Sequence, residues 1–144
     1  MPLLLPSSLA VILLSVALSA QGPGGPSPDR PCSFASADEV SAALGMKVSA
    51  ATDEKFRCKY AVDQGWLETK LMDISLKMTK DIFDYTKARG KPVPGLGDQA
   101  FVLGATLVAK VGDVIVNVDG SNLHRPPDTA KLKAIAAKIV ERIP

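Results

Sequence analysis

The sequence has little of what metal and imidazole chemistry require. Among 144 residues there are one histidine, His124, and two cysteines, Cys32 and Cys58. A zinc site needs several converging His, Cys, Asp or Glu ligands, so the shortage of histidine and cysteine argues strongly against zinc catalysis. A Ser–His–Asp triad would have to use His124. A calcium site needs a loop rich in oxygen ligands, and residues 113–122 supply few outside a predicted strand. We therefore expect neither a metal nor a cofactor.

Aromatic side chains and excess charge are also scarce. Phe, Trp and Tyr make up 5% of the chain, and 17 basic against 15 acidic residues give a formal net charge of +2. The basic residues are scattered and do not alternate with aromatic residues on which bases could stack. The composition therefore argues against a nucleic-acid partner.

The first twenty residues carry no charged side chain. Residues 9–18 form an apolar run of signal-peptide length, too short to span a bilayer comfortably. Small residues lie near the end of this run and just after it, at Ala17, Ser19 and Ala20. The pattern predicts a signal peptide over residues 1–20, export to the periplasm or the extracellular space, and no stable membrane insertion after cleavage. An uncleaved N-terminal anchor is the alternative.

The rest of the chain has the length of one domain. Residues 21–31 are rich in proline and glycine and predict a linker, which leaves a single exported domain over residues 32–144. Two cysteines in an exported chain most simply pair with each other, so a Cys32–Cys58 disulfide is expected. It would close a loop of about 27 residues, for which chain entropy predicts a stabilisation of roughly 3.5 kcal/mol.

The strand pattern is clearest in the C-terminal half. The pairs Gly104-Ala105 and Gly112-Asp113 separate short apolar runs and predict two-residue turns between strands. With a turn at Gly112, every facing pair on one side is apolar, which fixes the register. The predicted pairs are Val111 with Val114, Ala109 with Val116, and Leu107 with Val118.

Two more strands are predicted earlier in the chain. Side chains alternate between apolar and polar over residues 55–62 and 66–78, and residues 63–65 predict a turn that joins them into a hairpin.

Capping residues mark three helices. Ser36 and Glu39 have the spacing of a capping box, and Gly45 is expected to end that helix in the left-handed conformation. The other two helices are predicted to begin after the caps Thr79 and Asp128 and to cover residues 80–89 and 129–143. Together, the elements predict an α+β fold: an antiparallel sheet of about five strands covered on one face by two or three helices, with one disulfide.

The segment P-G-L-G-D at residues 94–98 is the most distinctive loop. It precedes a strand instead of opening a helix, so its G-x-G is not a dinucleotide-binding signature. One interpretation is structural: prolines and glycines shape a tight entry into the sheet, and Asp98 accepts backbone hydrogen bonds. The other is a rigid recognition loop close to the loop of residues 121–125. The candidate binding residues are Pro94, Gly95, Leu96, Gly97, Asp98, His124 and Arg125, and none is assigned as catalytic.

Short motifs recur in an order that resembles a group of bacterial proteins. An early Cys32 is followed by A-A-L-G at residues 42–45, C-K-Y at 58–60, and V-P-G-L-G-D-Q-A at 93–100 before the last strands and helix. This order is similar to that of small uncharacterised bacterial exported proteins, many of them lipoproteins of actinobacteria. The lipidation cysteine of such lipoproteins is missing here. The resemblance implies an exported domain and brings no activity or catalytic residue.

These observations favour an exported binding or interaction module of the cell envelope or extracellular space, with a protein or small-molecule partner. One alternative is a small secreted hydrolase that uses His124, which would need a serine and a carboxylate within hydrogen-bond reach in a cleft. The other is a structural envelope component, which would expose an apolar patch. The shortage of catalytic residue types makes an enzyme the less favoured interpretation.

Overall fold

The structure, a computed structural model, describes residues 25–144. The predicted signal peptide and residues 21–24 of the predicted linker lie outside the described residues. In the described part of the chain, three α-helices and a short 3₁₀ helix are combined with seven strands. In chain order these are the 3₁₀ helix Pro31–Phe34, α1 Ala37–Leu44, β1 Ala50–Glu54, β2 Arg57–Val62, β3 Gly65–Asp73, α2 Lys77–Arg89, β4 Lys91–Pro92, β5 Gln99–Leu103, β6 Thr106–Val111, β7 Val114–Asp119 and α3 Thr129–Val140.

All seven strands belong to one antiparallel sheet with the order β1-β2-β3-β7-β6-β5-β4. The α+β class and the antiparallel sheet are confirmed, but the prediction of about five strands was too low. β1 was missed because it is exposed along almost its whole length and shows no apolar alternation. β4 was missed because it has only two residues, one of them a proline.

The two C-terminal hairpins are confirmed. Gly112 has a φ of 56° and Asp113 does not have a positive φ, as a type II′ turn requires. Gly104 has a φ of 60° and joins β5 to β6. Across the Gly112 turn the predicted pairs form: Val111 with Val114, Ala109 with Val116, and Leu107 with Val118.

The earlier hairpin is also present, with shorter strands than predicted. β2 begins at Arg57 rather than at residue 55, because Lys55 and Phe56 form the turn between β1 and β2. Gly65 has a positive φ, 106°, and pairs with Val62 as the first residue of β3. β3 ends at Asp73, five residues earlier than predicted.

Helix α2 starts earlier than predicted. The Asp73 carboxylate accepts a hydrogen bond from the Ser75 amide at 2.8 Å, a local turn that ends the strand. The helix then begins at Lys77 after Leu76, so Thr79 is not its cap but a buried residue inside it.

The other two helices begin at their predicted caps. The capping box of Ser36 and Glu39 forms, and Gly45 ends α1 with a φ of 70°. α3 starts after its predicted cap, Asp128, and ends at Val140, three residues earlier than predicted.

Helices cover both faces of the sheet, not one as predicted. α1 and α3 pack on the first face, which carries Leu67, Leu107 and Val116 and forms the main core. α2 packs on the second face, where Phe83 contacts a smaller cluster with Val108 and Ile115. The main core therefore lies between the first face and helices α1 and α3, and of the helices in residues 25–144 α2 alone packs on the second face.

The expected disulfide joins Cys32 to Cys58, with their Cα atoms 4.8 Å apart. It links the 3₁₀ helix to β2. The Cys32 amide also donates a hydrogen bond to the Asp53 carboxylate at 2.7 Å. These bonds fix the start of the domain to the sheet, and Pro31, predicted as the last linker residue, belongs to the 3₁₀ helix.

Candidate functional site

The loop Pro94–Asp98 is built into the fold. Leu96 is only 4% exposed and belongs to the main core. The Asp98 amide donates to the Lys110 carbonyl at 2.8 Å, and the Asp98 carboxylate accepts from the Gly112 amide at 2.8 Å. Asp98 therefore joins the loop to the β6–β7 turn, which is the structural role that its sequence context predicted.

The same loop is also held from the side of α3. Lys133 Nζ donates to the Pro94 carbonyl at 2.6 Å. Gly95 and Gly97 have φ values of 75° and 57°. A Cβ added to Gly97 would lie 2.6 Å from the Lys110 carbonyl oxygen, so only glycine fits there. The loop leaves few free polar groups for a ligand.

His124 lies at a different place on the sheet. Its amide donates to the Gln64 carbonyl at 3.1 Å, and the preceding Leu123 is buried and bridges to Gly65. The side chains of His124 and Arg125 are exposed. Among the hydrogen bonds of residues 25–144, none joins the imidazole to a serine or a carboxylate. The geometry gives the hydrolase interpretation no support.

The structure does not bring the two candidate loops together. Asp98 is bonded at the β6–β7 turn, whereas His124 is bonded at the β2–β3 turn. Because β3 and β7 are antiparallel, with Asp73 opposite Val114, these two turns lie at opposite ends of the sheet. A six-residue strand such as β7 spans about 20 Å. The two loops therefore do not form one ligand-binding surface in this fold.

The second face of the sheet is more open than the first. In β3, Leu67 and Leu71 pack into the main core, so the alternate residues Trp66, Glu68 and Lys70 project from the second face. Their neighbours across β2 are Lys59, opposite Glu68, and Arg57, opposite Lys70. We call these five residues the Trp66 cluster: Arg57, Lys59, Trp66, Glu68 and Lys70.

Glu68 lies at the centre of the Trp66 cluster. Its side chain is only 7% exposed, and its Oε1 accepts hydrogen bonds from Arg57 Nη1 at 2.7 Å and from Trp66 Nε1 at 2.8 Å. Lys70 Nζ lies 3.9 Å from Oε2. A carboxylate with so little exposure needs such partners. The indole ring is therefore held in one orientation on the open face.

One cation lies against the indole ring, and Arg57 is bonded to the same carboxylate as the indole. Lys59 Nζ lies 4.5 Å from the centre of the Trp66 ring, a distance typical of a cation–π contact. A hydrogen bond from Arg57 Nε to Glu54, at 2.5 Å, raises the pKa of Arg57 above its ordinary value, so the guanidinium stays charged. The cluster thus offers a fixed aromatic ring and cationic donors, which are features of binding rather than of catalysis.

The outer side of α2 exposes large apolar side chains. Met78 and Tyr85 are 70% and 54% exposed, and Ile82 is half-buried. A shallow depression of about 550 Å³ lies over Met78, Ile82 and Tyr85 on this single helix. The Arg89 guanidinium stacks 4.1 Å from the centre of the Tyr85 ring. We call Met78, Ile82 and Tyr85 the α2 patch.

Sequence reasoning missed both features. In the sequence, Trp66 directly follows the turn of residues 63–65, a place typical of a hairpin packing residue. The Glu68 carboxylate that fixes it gains its second partner, Arg57, only when β2 and β3 are in register. The α2 patch did leave a signal in the sequence. Met78, Ile82 and Tyr85 have the i, i+4, i+7 spacing of a helical stripe, separate from the buried Phe83.

Two further properties hold for the described part of the chain. No helix within residues 25–144 combines the length and apolar character needed to cross a bilayer. Over the same residues, no group of three or more His, Cys, Asp or Glu side chains is placed to hold a metal ion.

Comparison with known proteins adds no relative. No protein-family model, no curated protein and no solved structure matches this chain. The resemblance of its short motifs to small exported bacterial proteins therefore stays a prediction.

Proposed function

We propose that this protein is an exported interaction module that binds a protein partner through the second face of its sheet. The contact residues are the α2 patch and the Trp66 cluster. The observation that carries the proposal is the strong exposure of Met78 and Tyr85 on the helix that packs on the second face, the face that also carries the fixed Trp66. Aromatic residues, methionine and arginine are the types enriched at protein interfaces.

A protein partner fits this surface better than a small molecule. Small-molecule sites are concave and bury most of their ligand. The depression on α2 is shallow and is lined by one helix only. A surface of this shape suits another broad surface that can cover Met78 and Tyr85.

The cations of this face indicate the charge of the partner. Lys59 and Arg89 each stack on an aromatic ring, and neither forms an ion pair with a carboxylate of residues 25–144. A partner that presents apolar side chains flanked by carboxylates would complement them. Binding is therefore expected to weaken as salt is added.

The Cys32–Cys58 disulfide supports the exported location, because such bonds persist in oxidising compartments. The apolar segment at residues 9–18 supports it from the sequence. A structural envelope component would also expose an apolar patch, but it would not require one specific partner.

The test is cross-linking in the cells that produce the protein. The double variant Met78→Ser/Tyr85→Ser removes two exposed side chains, and Phe56→Ser is the matched control, because Phe56 is 69% exposed at the β1–β2 turn. We expect one discrete cross-linked protein species with the natural chain and with Phe56→Ser, and its loss with the double variant. Retention of that species by the double variant would contradict the proposal. Equal melting temperatures of the three proteins would show that the fold is unchanged.

A further inference from the structure

Strand β1 forms an open edge of the sheet. It is the first strand in the sheet order, and four of its five residues are exposed. An edge strand presents unpaired N–H and C=O groups to which another strand can bind. The opposite edge, β4, has only two residues, and Pro92 lacks an N–H group. Within residues 25–144, β1 is therefore the edge at which the sheet can grow.

β1 lacks two of the devices that commonly protect an edge, a proline and a bulge. It contains no proline, and its pairing with β2 runs through five consecutive residue pairs without a bulge. The 3₁₀ helix contacts β1, β2 and β3 and is bonded to Cys58, so it lies over the first face and not beyond the edge. The two charged residues of β1 already have partners: Asp53 accepts from Cys32, and Glu54 accepts from Arg57.

We propose that β1 pairs antiparallel with β1 of a second copy of this chain, about a two-fold axis at Thr52. In this register Thr52 faces the partner's Thr52, a favourable cross-strand pair. Ala51 faces the partner's Asp53, and Ala50 faces the partner's Glu54, so no like charges meet. A parallel pairing in register would set each carboxylate against its own copy.

A second copy fits this edge better than an unrelated extended peptide. Peptides that add a strand are selected through pockets for alternate side chains. For such selection β1 offers the small, exposed side chains of Ala50, Ala51 and Thr52. A symmetric pairing needs no pocket, because backbone hydrogen bonds and the matched register supply the contact.

The dimer would change how the second face is displayed. The two-fold axis is perpendicular to the sheet, so the second faces of both copies point to the same side of one continuous sheet. Two α2 patches would then be available to one partner assembly, which strengthens binding through effective concentration. This inference does not depend on the proposed function, since the edge contact uses neither the α2 patch nor the Trp66 cluster.

A pairing of five residues is small for a specific interface, so a weak dimer is expected, with a dissociation constant in the micromolar range or above. The test is sedimentation equilibrium of the full chain and of two lysine variants at exposed positions of β1. Thr52→Lys sets two ammonium groups opposite each other and should weaken the dimer by about tenfold. Ala51→Lys sets lysine opposite the partner's Asp53 twice and should tighten the dimer by about fivefold at low salt.

The two variants make the proposal falsifiable even though both add the same charge. The gain from Ala51→Lys should disappear at high salt, and backbone amides of Ala50–Glu54 should become protected from hydrogen exchange as protein concentration rises. Opposite effects of the two lysines would support the two-fold register. Weakening by both lysines, or a natural chain that stays monomeric up to about 1 mM, would overturn it.

Discussion

Arg142, near the C-terminus, is bonded to the 3₁₀ helix and to α1, and breaking this link should change the pH dependence of stability. Arg142 Nη1 and Nη2 donate to the two Glu39 carboxylate oxygens at 2.7 and 2.6 Å, and Nη1 also donates to the Phe34 carbonyl at 2.8 Å. The hydrogen bond from Arg142 lowers the pKa of Glu39 from 4.5 to about 2. The perturbation that tests this link is Glu39→Gln, which keeps an oxygen for the capping box but removes the charge.

The sign of the effect follows from the direction of the shift. Since the folded pKa of Glu39 lies below the unfolded one, its contribution to stability is present above pH 4.5 and is lost as the pH falls towards 2. A difference of about 2.5 units is equivalent to about 3.4 kcal/mol at 1.36 kcal/mol per unit. The Arg142 and Glu39 side chains are still 33% and 26% exposed, and solvent screening reduces this value to about 1–2 kcal/mol.

The assay is urea unfolding of the natural chain and of Glu39→Gln at several pH values. At neutral pH we expect the variant to be about 1–2 kcal/mol less stable, and we expect the difference to shrink as the pH falls from 4.5 towards 2. Asp63→Asn is the matched control, because Asp63 is an exposed carboxylate with no ion pair among residues 25–144. If the difference between Glu39→Gln and the natural chain stays constant over this pH range, the reasoning is refuted.

Two further changes test the disulfide and the loop before β5. Replacing Cys58 and Cys32 together with serine should lower the free energy of unfolding by roughly 3.5 kcal/mol under oxidising conditions, measured in urea; equal stability of variant and natural chain would contradict the disulfide. Gly97→Ala should cost more than Gly112→Ala, because both glycines have a positive φ but only Gly97 has a backbone oxygen, that of Lys110, within 2.6 Å of an added Cβ. We expect about 1 kcal/mol for Gly112→Ala and a clearly larger loss of melting temperature for Gly97→Ala, and equal losses would argue against the close approach.

The elements that sequence predicted well are those set by local chemistry. The Gly112 and Gly104 turns need a positive φ, and the apolar alternation beside them leaves one register. The capping box at Ser36 satisfies helix N–H groups within four residues of chain. Such features are determined by residues that are adjacent in the chain, so the local sequence is enough to predict them.

The elements that the sequence analysis missed depend on residues that are far away in the sequence. Nothing in β1 marks a strand, because its residues are exposed and its pairing is decided by β2. The face on which α2 packs is likewise not encoded in the helix alone. Its buried side has only one large apolar residue, Phe83, between Thr79 and Thr86. Which face Phe83 covers depends on Val108 and Ile115 in strands that follow later in the chain.

The candidate site shows the same division. The structural role of Asp98 followed from a short Pro/Gly loop, and the structure places the Asp98 carboxylate on the Gly112 amide. Glu68, by contrast, has the sequence pattern of an exposed strand residue. It is nearly buried because the β2–β3 register brings Arg57 to its carboxylate and because Trp66 donates to the same oxygen.

The central claim, that the second face binds a protein partner, is tested most directly by hydroxyl-radical footprinting. Oxidation of Trp66, Met78 and Tyr85 would be compared between the protein in the cells that produce it and the purified chain, with Phe56 as an internal reference. We predict that these three side chains are protected in the cells and that Phe56 is oxidised equally in both samples. Equal oxidation of all four side chains in both samples would contradict the claim.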